Sequence, residues 1–297
     1  MVVREIEVNN IITKTSLPVS DFAINPYVGC THACKYCYAS FMKRFTNYPE
    51  PWGEFVDIKN WPKINATGKY VGKEAFFCSV TDPYQPLEKK YMRTRALLEQ
   101  LLDTGMSISI STKSDLIIRD LDLIKKFPSA NVAWSINTLD KKFQKEMDCA
   151  VSIERRLEAM RQFYESEIQT ACFISPIFPG ITDVLAIIER VKAHCNFIWL
   201  ENLNLRGDYK SRIFGWIHKH HPELDDLYHE IYTKKSRKYW VKLDQEIRAY
   251  SAKNGIIYIR KNEKHRPQFG KSPVICNYFY HEEIRRSAKK KNNELKL

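Results

Sequence analysis

The chain has 297 residues, 44% of them hydrophobic, which is enough for a sizeable core and excludes wholesale disorder. Its eight cysteines lack the spacing of a disulfide framework and its N-terminus has no long apolar run, so a secreted disulfide scaffold, a signal peptide and a membrane anchor are not expected, and the cytoplasm is. The net charge of +12 is unevenly placed: residues 1–205 hold 25 Lys and Arg against 24 Asp and Glu, whereas residues 206–297 hold 22 against 11.

Residues 1–20 read as an extended arm, with Ile6, Val8, Ile11 and Ile12 as packing contacts and Pro18 as a break. Phe22-Ala23-Ile24 is a short strand that feeds a loop carrying Cys30, Cys34 and Cys37, spaced C-x3-C-x2-C. Thiolates so close together select zinc, copper(I) or an iron–sulfur cluster. A structural zinc site and a simple electron-transfer cubane are both closed by four ligands. Three thiolates on a cubane leave one iron open, and an open iron can bind something that reacts. A zinc knuckle completed by His32 or a distant cysteine is the competing reading. Residues 38–45 have a helical pattern, stopped by Pro49-Glu50-Pro51-Trp52-Gly53, and residues 46–73 read as an irregular insertion.

From residue 75 the chain alternates. Strands are predicted at 75–80, 106–112, 131–137, 168–175 and 197–203, with helices near 91–103, 115–126, 139–147, 152–166 and 182–194. With the strand before the cysteine loop this makes six βα repeats, which call for a parallel sheet with right-handed crossovers. The expected fold is α/β, a partial (β/α)6 TIM-like barrel, with its chemistry at the C-terminal ends of the strands. Those ends carry Ser79 and Thr81-Asp82-Pro83-Tyr84, then Lys113, then Ser135 and Asn137, then Ser175, then Glu201, Asn202, Asn204 and Arg206. Each has a plainer reading as well: an Asp-Pro turn, a solvated lysine, or a cap on the following helix.

Beyond Gly207 the βα rhythm stops. Helices near 209–219, 223–233 and 235–252 carry Trp216, Tyr228, Tyr232, Tyr239 and Trp240 among His218–His221 and the basic run 234–238. Such rings either stack on bases while the cations hold phosphates, or form a core. A last strand is expected at 255–260, followed by a Lys-rich end that reads as disordered. The organisation is thus an arm at 1–20, a core at 21–207 and a helical, basic extension at 208–297, whose charge suits a nucleic-acid partner.

The C-x3-C-x-aromatic-C pattern, with Tyr36 as its aromatic, resembles the radical S-adenosylmethionine (radical SAM) superfamily. Asn25–Cys30 and Cys37–Ser40 look like its spore photoproduct lyase-like branch. The run from Phe41–Phe45 to Pro51–Phe55 resembles a subfamily named radical SAM mobile pair protein B. The resemblance implies a [4Fe–4S] cluster on Cys30, Cys34 and Cys37, with S-adenosylmethionine chelated to the fourth iron and cleaved reductively to a 5′-deoxyadenosyl radical that abstracts hydrogen. It implies cofactor contacts from Ser79, Lys113 and Ser135, and beside these the motif's Tyr36 and the strand-end Thr81, Asp82, Asn137 and Asn202 are candidate cofactor contacts by their position, Thr81 and Asp82 as acceptors from the cofactor's ammonium group. Cys78 stands beside Ser79 as a hydrogen-atom donor or as a buried, inert strand cysteine. Implied partners are an electron donor such as flavodoxin or ferredoxin and a paired radical SAM protein. The reaction expected is repair or modification of DNA or RNA. The alternatives are a peptide-modifying enzyme acting with a paired enzyme, and a non-catalytic iron–sulfur or zinc nucleic-acid-binding module.

Overall fold

The computed structural model describes residues 1–15, 20–65, 68–260 and 268–279. Pro18 and the Lys-rich end lie outside these residues.

The arm and the supposed insertion pair with each other. Strand β1 (Val2–Glu7) runs parallel to β5 (Phe55–Asn60), and β4 (Tyr27–Val28) joins β5 antiparallel, giving a three-stranded sheet. Residues 46–73 are therefore less irregular than the Pro and Gly content suggests. Phe55, Val56 and Ile58 of β5 are buried, which gives the pairing a hydrophobic reason. Between β4 and β5, residues 38–45 form a 3-10 helix and not an α-helix.

The main sheet contains β2 (Ile12–Lys14), β3 (Phe22–Ile24), β6 (Glu74–Phe77), β7 (Ser107–Thr112), β8 (Ala130–Ser135), β9 (Gln169–Ile177), β10 (Phe197–Asn202), β11 (Ile257–Arg260) and β12 (Val274–Asn277). Its order is β11-β12-β10-β9-β8-β7-β6-β3-β2, and all neighbours are parallel except β2 and β3. The six predicted core strands are the run from β3 to β10. The two outer strands β2 and β11 do not pair with each other, so the sheet is open and no barrel closes among the described residues.

Crossover helices cover this sheet: α1 (Glu88–Tyr91), α2 (Arg93–Leu101), α3 (Leu121–Ile124), α4 (Lys141–Met147), α5 (Ile153–Glu165) and α6 (Val184–Val191). Their starts are chemically marked. Asp140, Ser152 and Asp183 accept from the backbone N–H groups of Lys142 and Phe143, Arg155, and Ala186, each satisfying a donor that the first turn leaves open. Leu97, Leu98, Ile110, Trp134, Phe163 and Ile198 belong to the continuous core between helices and sheet. The helix expected at 115–126 is shorter, a 3-10 turn over Leu116–Asp120 followed by α3.

Past Gly207, α7 (Asp208–His220), α8 (Asp225–Tyr232) and α9 (Lys238–Lys253) lead into β11 and β12. The βα rhythm thus resumes, and the main sheet continues into the extension. Trp216, Tyr228 and Trp240 are buried, and Tyr232 and Tyr239 are half-buried. The core reading of these aromatics holds, and the buried rings are not available to stack on bases.

Candidate active site

The cysteine loop lies between β4 and the 3-10 helix, at the C-terminal edge of the main sheet. Backbone geometry shapes it first. Gly29 sits at φ +91°, and a Cβ there would stand 2.2 Å from the Phe55 carbonyl oxygen, so neither the torsion nor the space admits a side chain. Gly53 presses on the other flank, where a Cβ would meet the Ala33 side chain at 2.7 Å.

Residues 81–85 then clamp the loop. The Thr81 hydroxyl donates to the Gly29 carbonyl at 2.5 Å, and the Gln85 amide donates to the same oxygen at 3.4 Å. In return, the Thr31 N–H donates to Gln85 Oε1 at 3.0 Å. Asp82 is buried. Its Oδ1 accepts from the Thr112 hydroxyl at 2.7 Å and the Tyr84 N–H at 2.9 Å, and its Oδ2 accepts from the Lys113 N–H at 2.8 Å. His32, 2% exposed, brings Nε2 to 3.1 Å from Asp82 Oδ2. That contact is an ion-pair distance off the line of a hydrogen bond, since neither ring nitrogen has a hydrogen-bond partner. Burial works to raise the Asp82 pKa, but His32 and the donors from Lys113 and Thr112 outweigh it and hold the carboxyl at about 2. One carboxylate thus ties the loop to the ends of β6 and β7.

On the far side, the Cys149 N–H donates to the His32 carbonyl at 2.8 Å and the Lys35 N–H to the Met147 carbonyl at 2.9 Å. The Tyr36 hydroxyl donates to Asp148 Oδ2 at 3.0 Å. Asp148 Oδ1 is held by Arg156 at 2.8 Å, a pair that is almost wholly buried. The Tyr36 ring meets Phe178 edge-on, with centroids 5.5 Å apart.

Inside this frame Cys34 and Cys37 both disfavour ionisation of Cys30. Burial is the larger cause for all three, and it pushes Cys34 up to about 12 in spite of Lys113. No three described His, Cys, Asp or Glu side chains converge on a point that a single ion could occupy; thiolates of a cluster each take a different iron and stand further apart. His32, which the competing zinc-knuckle reading would use as a ligand, is turned to Asp82. The backbone N–H of His32 acts against burial at Cys30 and lowers its thiol pKa. The neighbouring N–H groups of Ala39 and Ser40 and the Trp52 indole act against burial at Cys37 and lower its thiol pKa, the kind of outer influence that tunes a cluster.

The other predicted residues ring this loop unequally. Lys113 is half-buried, with Nζ 5.7 Å from the Tyr36 ring centroid. Burial would lower its pKa, but Cys34, Asp148 and Asp82 more than compensate, so the ammonium stays charged. Asn137 is 2% exposed and its Nδ2 has no partner. The Ser79 carbonyl accepts from the Tyr38 hydroxyl and the Ser135 carbonyl from Arg156, and the side chains of both serines are half-exposed. The Asn202 amide makes a long 3.5 Å contact to the Leu203 carbonyl, and Glu201 accepts from Ser175 at 2.7 Å. Cys78 follows the end of β6 at φ +66°, and its buried thiol is raised well above its ordinary range by burial, Asp82 and Cys30. No local pattern marks Asp148 and Arg156 as part of this frame, and the Gln85 contribution is hidden among prolines.

Comparison with known proteins agrees with this geometry. Residues 24–191 match the family model described as the radical SAM superfamily. An uncharacterized protein of Methanocaldococcus jannaschii is 40% identical over 229 residues, covering 76% of this chain and 84% of that protein. A protein of Pseudomonas phage M6 described as a radical SAM Nalpha-GlyT isomerase is 24% identical over 255 residues, 78% of this chain and 52% of that one. Among solved structures, a spore photoproduct lyase mutant with dinucleoside spore photoproduct shares the fold, with a TM-score of 0.53 at 15% identity over 74% of this chain and 66% of the lyase chain. With three cysteines on one clamped loop at the sheet's edge and a family match over more than half its length, this chain belongs to the radical SAM superfamily, enzymes whose cofactors are a [4Fe–4S] cluster and S-adenosylmethionine.

Proposed function

We propose that the chain is a hydrogen-abstracting radical enzyme that acts on a nucleobase or nucleoside within DNA or RNA. The observation that carries the enzymatic part is the loop of Cys30, Cys34 and Cys37, held rigidly while His32 is engaged elsewhere. When bound, the cluster and cofactor supply a one-electron cleavage of the S–C5′ bond, giving methionine and a 5′-deoxyadenosyl radical.

The residues present fit both groups. Cys30, Cys34 and Cys37 would hold three irons. Lys113 suits the carboxylate of the methionine portion, a charge-assisted contact. Asn137 Nδ2 is a buried donor awaiting an acceptor, and with Ser79, Ser135 and Asn202 it suits ribose and adenine. Tyr36 is assigned to the floor beneath the cofactor, fixed by Asp148. Asp82 and Thr81 are assigned to positioning: their oxygens serve the loop, and this replaces the expected acceptance from the cofactor's ammonium group. Cys78 keeps its proton and is retained as the candidate hydrogen-atom donor. Water exclusion falls to α7, whose Tyr209, Ile213 and Trp216 pack with Phe143 and Phe178 against Cys34 and Tyr36.

The nucleic-acid part is supported by the charge of residues 206–297 and by the descriptions of the relatives, the lyase crystallised with a dinucleoside and the phage protein named for GlyT. The test is anaerobic reconstitution, EPR of the reduced protein with and without S-adenosylmethionine, and quantification of 5′-deoxyadenosine. A cubane signal altered by the cofactor and absent in Cys34→Ala is expected. A cluster indifferent to the cofactor would sink the enzyme reading. Affinity for DNA or RNA that does not fall steeply with salt would sink the nucleic-acid reading and turn attention to peptides.

A further inference from the structure

The residues that follow the thiols touch the site through the Tyr38 hydroxyl, which donates to the Ser79 carbonyl, and turn the rest of their side chains into a surface of their own. From Phe22 to Pro49 the chain has Lys35, Lys43 and Arg44 and no Asp or Glu. The 3-10 helix Tyr38–Phe45 begins at the residue next to Cys37, which is half-buried where Cys30 and Cys34 are buried. With three residues per turn, side chains at i and i+3 eclipse, so Tyr38, Phe41 and Arg44 fall in one column. All three are exposed, and Phe45 extends the column at its end. Tyr38 is 59% exposed, Phe41 43% and Phe45 66%, three of the four exposed large aromatic side chains among the described residues. The Arg44 guanidinium lies 5.3 Å from the Phe41 ring centroid and 4.7 Å from that of Phe45, which joins the rings into one strip. The Lys43 ammonium, donating to the Pro49 carbonyl at 3.1 Å, adds to the same charge.

Exposed rings bridged by arginine are the composition of an interface centre and not of a solvated face. We propose that this strip is the docking surface for an acidic one-electron carrier protein. The inference rests on the reductive chemistry proposed above, in which single electrons must arrive from outside. The strip starts one residue after Cys37, the half-buried member of the three cysteines, so a protein seated on it has a short covalent route to the cluster through Cys37. The charged side chains of the strip itself, Lys43 and Arg44, are both positive, so a negatively charged partner is steered to it and a basic one repelled. A small, transient contact of this kind suits electron transfer. A nucleic acid is the less favoured occupant, because three cations over 28 residues are a thin phosphate track beside the charge of residues 206–297.

The experiment uses the reconstituted full chain and the double variant Arg44→Glu/Phe45→Ala, neither position having a part in binding cluster or cofactor. The rate of 5′-deoxyadenosine formation is measured with dithionite and, separately, with an acidic flavodoxin as the only reductant. The expected result is a loss of roughly tenfold or more in the flavodoxin-driven rate, with the dithionite-driven rate within about twofold of the parent. The parent's flavodoxin-driven rate should fall with salt, and the variant's should be nearly flat. An unchanged flavodoxin-driven rate overturns the inference, as does an equal fall in both rates. Loss of DNA or RNA affinity without loss of flavodoxin-driven activity would give the strip to nucleic acid instead. If the parent makes no 5′-deoxyadenosine even with dithionite, the proposed function fails. The docking inference is then judged alone by titrating oxidised flavodoxin against parent and variant: equal affinity refutes it.

Discussion

Replacing Asp82 by asparagine keeps the shape of the side chain and removes its charge. In the folded protein the carboxyl is held at about 2 against an ordinary 3.8, which corresponds to roughly 2 kcal/mol of stability. The folded value is the depressed one, so this contribution is complete above pH 3.8 and is lost as the pH falls from there through 2. The introduced amide would also turn an NH2 group toward either the Lys113 N–H and His32 or the Thr112 and Tyr84 donors. A buried donor facing a donor brings the total loss to roughly 3–5 kcal/mol. The assay is urea unfolding of the apo protein under reducing conditions, followed by tryptophan fluorescence, with Asp115→Asn as control. Asp115 pairs with Arg155 at 2.7 and 2.8 Å, but Arg155 is 57% exposed, so the control should cost no more than about 1 kcal/mol. The gap between parent and Asp82→Asn should narrow as the pH falls from 3.8 toward 2. A gap below about 1 kcal/mol at neutral pH would refute the assignment of this energy to the carboxylate.

Gly29→Ala should cost roughly 2–5 kcal/mol, because the left-handed torsion and the contact with a backbone oxygen add. It should also abolish iron incorporation, whereas Gly72→Ala, at φ +69° with open space around it, should cost about 1 kcal/mol and leave iron content unchanged. Arg156→Ala strands the buried Asp148 and should lower stability by roughly 3–5 kcal/mol. Much of that should return in Arg156→Met/Asp148→Leu, and denaturation midpoints of the single and double variants decide the matter.

The parts of this fold that could be read from the sequence are those whose signal is local. The apolar runs and alternation at β6 to β10, the polar starts of α4, α5 and α6, and the three thiols in eight residues all declare themselves within a short window. What stayed hidden depends on pairs far apart in the chain. The carboxylate of Asp82 looks like a turn residue until the strand carrying Thr112 and Lys113 is laid beside it. The phenol of Tyr36 gives no sign of Asp148, which lies 112 residues away. Strand β5 was masked by the prolines around it and by the polar Asp57, Lys59 and Asn60 within it, and β12 by having only four residues after Ser272-Pro273. His32 drew attention as a metal ligand because of its neighbours in sequence, while its place is decided by its neighbour in space.

The order β10-β12-β11 has a consequence for how the protein is made. β11 leaves the ribosome before β12, yet among the described residues its neighbour in the sheet is β12. Until residues 274–277 emerge, β11 has an unpaired row of backbone groups on each edge, and β10 offers a free edge of its own. The sheet therefore cannot be completed in the order of synthesis. The four-residue β12 is the last of the three to be made and the one that joins the other two, so its loss by early termination of the chain would leave β11 without a link to β10 in the described sheet.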